Sequence, residues 1–293
     1  MDRRTIFPGR ALPALLVLPQ LALTAVFFLW PAGRALLSSL QREDPFGTSS
    51  DFAGLDNFAA LFADPLYLAA VGRTLLFCAA VTALSMGLAL LFAVFADAEI
   101  RGRAFYRTML VWPYAVAPAM SAVLWILMFH PQIGLVGAWL NRHGLPWDYK
   151  LNGAEAMALI VGASAWKQVS YNFIFFLAGL QAIPRSVIEA ARIDGSRGFY
   201  RFRTIVLPLL MPVVFFLLVV DLVYAAFDTF ATVYALTQGG PGQSTQTLVL
   251  KVYLDGIVNA DIGSSSAQSV VLMAGVIVLS ALQFRFLGRK AWT

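Results

Sequence analysis

The chain has 293 residues, 59% of them hydrophobic and only 13% charged, with a mean hydropathy of +0.74. That composition excludes an ordinary soluble domain. The formal charge of +5 is spread over short segments between apolar runs, unlike the basic stripe on a soluble face that marks a nucleic-acid binder.

Six apolar runs follow one another along the chain: Ala11–Pro31, Ala70–Ala96, Thr108–Phe129, Glu155–Leu180, Leu209–Tyr234 and Ser265–Leu287. Each is close to the roughly 20 residues a helix needs to cross a bilayer. A spanning segment must satisfy its own backbone hydrogen bonds, and these runs are too long and continuous for barrel strands. The expected fold is an all-α integral membrane protein with six transmembrane helices. Arg3, Arg4 and Arg10 precede the first run, but its length, its lack of a small-residue cleavage site and the five runs after it argue for a span over a cleaved signal.

Short loops rich in Lys and Arg stay in the cytoplasm. Most of the basic residues lie before the first run, between the second and third (Arg101, Arg103, Arg107), between the fourth and fifth (Arg185, Arg192, Arg197, Arg201, Arg203) and after the sixth (Arg285, Arg289, Lys290). Both termini are therefore expected in the cytoplasm.

The outer segment Gly33–Ala69, with Asp44-Pro45-Phe46-Gly47 and Gly54, has the turn chemistry of a compact connecting cap. In the third run Pro113 and Pro118 each remove a helix hydrogen bond and predict a kink. Ala115, Ala119 and Ala122 offer small surfaces to a neighbouring helix. The single cysteine, Cys78, falls within the second run and rules out an intrachain disulfide. His130 and His143 stand without metal-pair spacing, and no metal site is expected. No Lys follows a Gly, which excludes the GxxxxGK[ST] phosphate loop, so no catalytic site is expected and any ATP must be hydrolysed by a partner.

Charge inside a span is costly and marks a functional or paired position. In the fourth run Lys167 and Tyr171 share a face, with Gln168 and Asn172 on the adjoining stripe. In the fifth, Asp221 and Asp228 are two helical turns apart, with Tyr224 between them on nearly the same face. These seven residues are candidates for a translocation pathway. An ion pair of Lys167 with Asp221, or with a group on a partner subunit, is the competing structural reading.

The connection Gln181–Thr204 is patterned as a short helix that starts at Pro184 and stops at Gly195, with a second helix starting near Ser196 and entering the fifth span. Such a helix projecting from a membrane domain receives a push from a soluble partner, or lies on the bilayer surface. Its sequence is Glu189-Ala190-Ala191, two residues, Asp194-Gly195, then nine residues to Ile205-Val206-Leu207-Pro208.

That spacing resembles the EAA loop of type-I ABC importer permeases. The resemblance implies a coupling role for Glu189, Ala190, Ala191, Asp194 and Gly195, in a helix seated in a groove of an ATPase subunit. Thr237, Gly239, Gly240 and Pro241, with Thr245, Thr247 and Tyr253, are similar to the outer loop of the sugar and polyol class. Further stretches, among them Trp30-Pro31-Ala32-Gly33, Trp166-Lys167-Gln168 and Ala267-Gln268-Ser269, resemble a permease subunit of the sn-glycerol 3-phosphate importer over nearly the whole chain. Asp221 departs from that pattern, which has an amide there.

The resemblance implies a type-I ABC importer transmembrane domain forming one polytopic unit over 1–293, its core at about 70–287 and its coupling loop at 181–204. It also implies a bacterial inner membrane location and a complex of a second homologous permease, two ATPase subunits binding ATP and magnesium, and a periplasmic substrate-binding protein. The cargo would be glycerol 3-phosphate, with glycerophosphodiesters as a further candidate, moved by alternating access. A permease for a neutral sugar would carry the same two motifs, and the intramembrane charges alone would also suit an ion-coupled secondary transporter.

Overall fold

The computed structural model describes residues 11–43, 49–97 and 103–286. Asp44–Gly47, the arginines at 3, 4, 10, 101 and 289, and Lys290 lie outside them. The helix α1 (Ala11–Thr24) passes through a π-turn at Ala25–Leu29 into α2 (Trp30–Ser38). A short hairpin, β1 (Gln41–Glu43) and β2 (Ser50–Phe52), precedes α3 (Asp56–Ala63) and the long α4 (Pro65–Asp97). Then come α5 (Arg103–Val111), a 3-10 turn (Trp112–Ala115), α6 (Pro118–Phe129), α7 (Leu135–Arg142) and α8 (Gly153–Ala182). After α9 (Arg185–Ile193), α10 (Gly198–Arg201) runs through a π-turn (Phe202–Val206) into α11 (Leu207–Val223) and a second π-turn (Tyr224–Asp228). The chain closes with α12 (Phe230–Thr237), α13 (Leu248–Tyr253), a π-turn (Leu254–Val258) and α14 (Ile262–Phe286).

Four of these helical stretches are long and apolar enough to cross a membrane: Ala14–Ser38, Pro65–Asp97, Gly198–Asp228 and Ile262–Arg285. Two bent pairs, Ala104–Ala115 with Pro118–Phe129 and Gly153–Ala182 with Arg185–Ile193, bring the number to six when each pair is one span. The order matches the six apolar runs.

The third run is broken outright, by 108°, where a kink was expected. Pro118 sits at the first position of α6, and the ring of a proline pushes the residue before it out of the α region. Ala117 (ψ 142) and Val116 (ψ 128) are both extended, so two residues leave the helix together.

The chain separates into two compact units. In the first, formed by 1–64 and 252–271, the hairpin pairs Gln41 with Phe52, Arg42 with Asp51 and Glu43 with Ser50. The side-chain amide of Asn57 donates to the carbonyls of Ser39 and Gln41, both at 2.9 Å, which ties the start of α3 to the hairpin. The outer segment expected as a cap is thus a helix end, a hairpin and α3. Asp261 caps α14 by accepting from the Ser264 amide at 3.0 Å.

The second unit is 65–251 with 272–293, and its central packing is α4 against α8. Ala89, Ala93 and Ala96 of α4 lie one turn apart and bring Phe173 and Phe176 of α8 and Leu217 of α11 into one buried cluster. Small residues at a helix crossing allow this close approach in a bilayer, where lipid is as apolar as the partner helix. Gly179 makes the same allowance, since a Cβ there would stand 2.9 Å from Leu210 and 3.0 Å from Val213 of α11. Cys78 is buried within α4. The side chain of Asn152 caps α8 by accepting from the Ala154 amide at 3.0 Å, and its own amide donates to Glu155 at 2.9 Å.

Candidate translocation and coupling site

On α8, positions 168 and 172 are one turn apart and face both α4 and α11. Asp221 of α11 is fully buried between them, with 0% of its surface exposed. Gln168 Nε2 donates to Asp221 Oδ1 at 2.7 Å, and Asn172 Nδ2 and Ser85 Oγ donate to Oδ2 at 2.6 and 2.8 Å. Three helices are therefore joined by one carboxylate that accepts three neutral donors, the arrangement a buried carboxylate needs. Asn172 Nδ2 also reaches Ser85 Oγ at 3.3 Å.

Lys167 does not take part. Its ammonium donates to the carbonyl of Val116, at the break between the 3-10 turn and α6. No ion pair joins Lys167 to Asp221 among the described residues, so that form of the competing reading does not hold. The broken span presents a backbone carbonyl that a continuous helix would have used internally, and Lys167 is within reach of it.

The seven pathway candidates fall into two groups. Gln168, Asn172 and Asp221 close on one another and are buried. Lys167, Tyr171 and Tyr224 are half-buried and Asp228 is exposed. Tyr171 packs against Tyr114 and Phe175, with ring centroids 5.9 and 4.8 Å away. Tyr224 donates to the Ser164 carbonyl at 3.2 Å. Asp221 and Asp228 were expected on one face; the structure buries Asp221 and leaves Asp228 exposed, with a π-turn over Tyr224–Asp228. An i to i+5 turn holds more residues than an α turn, so it rotates everything beyond it. Ser85 was missed by sequence reasoning; a small polar residue inside an apolar span was its only signal.

The connection 181–204 forms the helix and the stop that its sequence predicts. Pro184 ends up as the cap residue just before α9, one position earlier than expected. At the other end the Gly195 amide donates to the Arg192 carbonyl at 3.1 Å and the Ser196 amide to the Ala191 carbonyl at 2.9 Å, with Gly195 at φ +79. This pair of bonds is a Schellman stop, which needs a left-handed residue. Glu189, Ala190, Asp194 and Gly195 are exposed and Ala191 is buried, so α9 turns one alanine toward the bundle and shows the other with Glu189 outward. The second helix starts at Gly198, two residues after the Ser196 expected for it, and runs on into the fifth span to Asp228.

A Cβ on Gly195 would meet nothing within 4 Å, so Gly195→Val would strain only the backbone, by about 1–2 kcal/mol. The expected result is normal membrane insertion with a frayed end to α9 and weakened coupling. Cysteine cross-linking from position 193 to a soluble partner should fall, and unchanged cross-linking would show that the stop is dispensable.

The outer loop after α12 is held by its own polar groups. Thr237 Oγ1 and Thr245 Oγ1 are 2.7 Å apart, Thr245 Oγ1 donates to the Gly240 carbonyl at 2.8 Å, and Gly239 and Gly242 have φ of +90 and +53. The Leu248 amide donates to Thr74 Oγ1 at 2.8 Å, which anchors the loop to α4. The histidines lie at the outer ends of their helices: His130 Nε2 is 3.2 Å from Lys150 Nζ, and the His143 ring packs tilted against Trp139 with centroids 4.4 Å apart.

Residues 85–291 match the model of the family described as "Binding-protein-dependent transport system inner membrane component". That range begins at Ser85 and holds the Asp221 network and α9. The chain is 56% identical over 288 residues, covering 98% of each, to the "sn-glycerol-3-phosphate transport system permease protein UgpA" of Rhizobium meliloti (strain 1021). It is 53% identical over 287 residues to the protein of the same description from Salmonella typhi, covering 98% of this chain and 97% of that one. A solved bacterial ABC transporter involved in import of the acidic polysaccharide alginate has a chain of the same fold, with a TM-score of 0.80 at 20% identity, covering 95% of both chains.

Proposed function

Because the chain belongs to the family of binding-protein-dependent transport system inner membrane components, we propose that it is the permease subunit through which an ATP-driven importer moves sn-glycerol 3-phosphate. The observation that carries this reading is the 56% identity over 98% of both chains to a relative described as that importer's permease. The inner membrane is its location, and several apolar spans cross it. The second homologous permease, two ATPase subunits with ATP and magnesium, and a periplasmic substrate-binding protein belong to the same proposal. Residues at about 70–287 form the permease core and α9 its coupling helix. The exposed Glu189 and Ala190 are the surface an ATPase groove would receive. ATP and cargo then act through their unequal affinity for outward-open and inward-open states.

The test is uptake by proteoliposomes holding this chain with the second permease, ATPases and binding protein of the proposed complex. Vanadate-sensitive, ATP-dependent accumulation of glycerol 3-phosphate is the expected result, and accumulation driven by an ion gradient without ATP would remove the proposal. In the same system Glu189→Lys puts a cation at the docking surface and should lower uptake by about ten-fold or more, the cost of one misplaced interface charge. Membrane yield should be unchanged.

A further inference from the structure

The cytoplasmic ends of α4, α5 and α8 enclose, with α9 and α10, a cavity of about 1420 Å³. Its lining has two chemistries. Arg107, Arg185, Arg192 and Arg201 contribute cations from the two basic connections that face the cytoplasm. Leu90, Leu91 and Val94 of α4, with Leu180 and Phe202, make an apolar wall that continues up toward the bilayer core. Asp97 and Glu189 are the acidic lining residues, and neither forms an ion pair with any of the four arginines among the described residues. The groove therefore keeps an excess of two positive charges.

Arg107 adds a specific observation. Its Nη2 donates to the Ala96 carbonyl at 3.0 Å, which holds the guanidinium at the end of α4, while its Nε is buried with no partner among the described residues. A buried guanidinium N–H left unpaired is costly, and a phosphate oxygen is the acceptor best matched to it.

We propose that this groove is a binding site for an acidic phospholipid of the cytoplasmic leaflet. The phosphate lies among Arg107, Arg185, Arg192 and Arg201, and an acyl chain lies along Leu90, Leu91 and Val94. A soluble anion would use the arginines and leave the apolar wall wet. A zwitterionic lipid would use the wall but bring its own cation to the arginines. An acidic lipid satisfies both, and basic pockets between helix ends at headgroup depth attract such lipids. Because α9 forms one side of the groove, a bound lipid would brace the coupling helix against the bundle. The inference does not depend on the identity of the transported cargo.

The test is native mass spectrometry of the full-length chain, purified in mild detergent with any subunits that accompany it and titrated with phosphatidylglycerol or phosphatidylcholine. The wild type should retain phosphatidylglycerol in preference to phosphatidylcholine. The double variant Arg192→Gln with Arg201→Gln should bind it roughly thirty-fold more weakly, at about 1 kcal/mol per cation. Arg197→Gln with Arg203→Gln removes the same charge from the same connection outside the groove and should change retention little. Val94→Trp fills the wall with every arginine in place and should also displace the lipid, which keeps the test decisive if the arginine variant folds poorly. Equal loss in both arginine pairs would overturn the site in favour of general surface charge. Displacement by millimolar inorganic phosphate would reduce it to an anion site. Exclusion of lipid whenever the soluble subunits are bound would assign the groove to a protein partner.

Discussion

Asp221→Leu should destabilise the protein by about 2–5 kcal/mol, the sum of three interhelical hydrogen bonds at the values measured inside membranes. The leucine would leave Gln168 Nε2, Asn172 Nδ2 and Ser85 Oγ without an acceptor at a site from which water is excluded. Asp221→Asn is the informative companion. With its amide nitrogen at the Oδ1 position, the new side chain still accepts from Ser85 and Asn172 through its remaining oxygen. Gln168 need only turn its own amide over to accept in place of donating. One rotation restores all three contacts, so Asp221→Asn should cost at most about 1–2 kcal/mol, the difference between a charged and a neutral acceptor. Thermal unfolding of both variants in detergent decides the matter. If they lose stability equally, the carboxylate is not the latch among α4, α8 and α11.

The parts of this architecture that were legible in the sequence rest on local chemistry. Apolar runs mark spans because the bilayer sets their length. Gly195 marks the end of α9 because a Schellman stop needs a residue tolerant of positive φ. The face shared by Gln168 and Asn172 followed from helical spacing alone, and the structure directs both onto Asp221. What was not legible depends on backbone events that no side chain announces. A π-turn runs through Tyr224–Asp228, and nothing in Tyr-Ala-Ala-Phe-Asp distinguishes it from an α turn. The break at Val116 and Ala117 was foreshadowed by two prolines, but its 108° angle reflects two adjacent extended residues. Lys167 illustrates the limit most clearly, since its partner is a carbonyl, a group every residue carries. A search for a charged partner therefore pointed to Asp221.

That partner changes what a substitution at Lys167 should do. An ammonium at this depth costs about 2.5–3.5 kcal/mol to insert, and one hydrogen bond to the Val116 carbonyl recovers only part of that. Lys167 is half-buried, and its ammonium has two further donors beyond the one given to Val116. A passing phosphate can take those two donors while the third keeps the side chain tethered to the hinge. Lys167→Gln keeps a donor for the Val116 carbonyl and removes the charge. Lys167→Met removes both. If the charge serves the cargo, both variants should lower uptake of glycerol 3-phosphate by about ten-fold or more, the scale of one charge-assisted hydrogen bond of about 1.5–3 kcal/mol. Only Lys167→Met should also lower thermal stability, because only it abandons the broken span. Uptake that falls in strict proportion to stability across the two variants would mean that Lys167 is a clamp on the hinge and not part of the pathway.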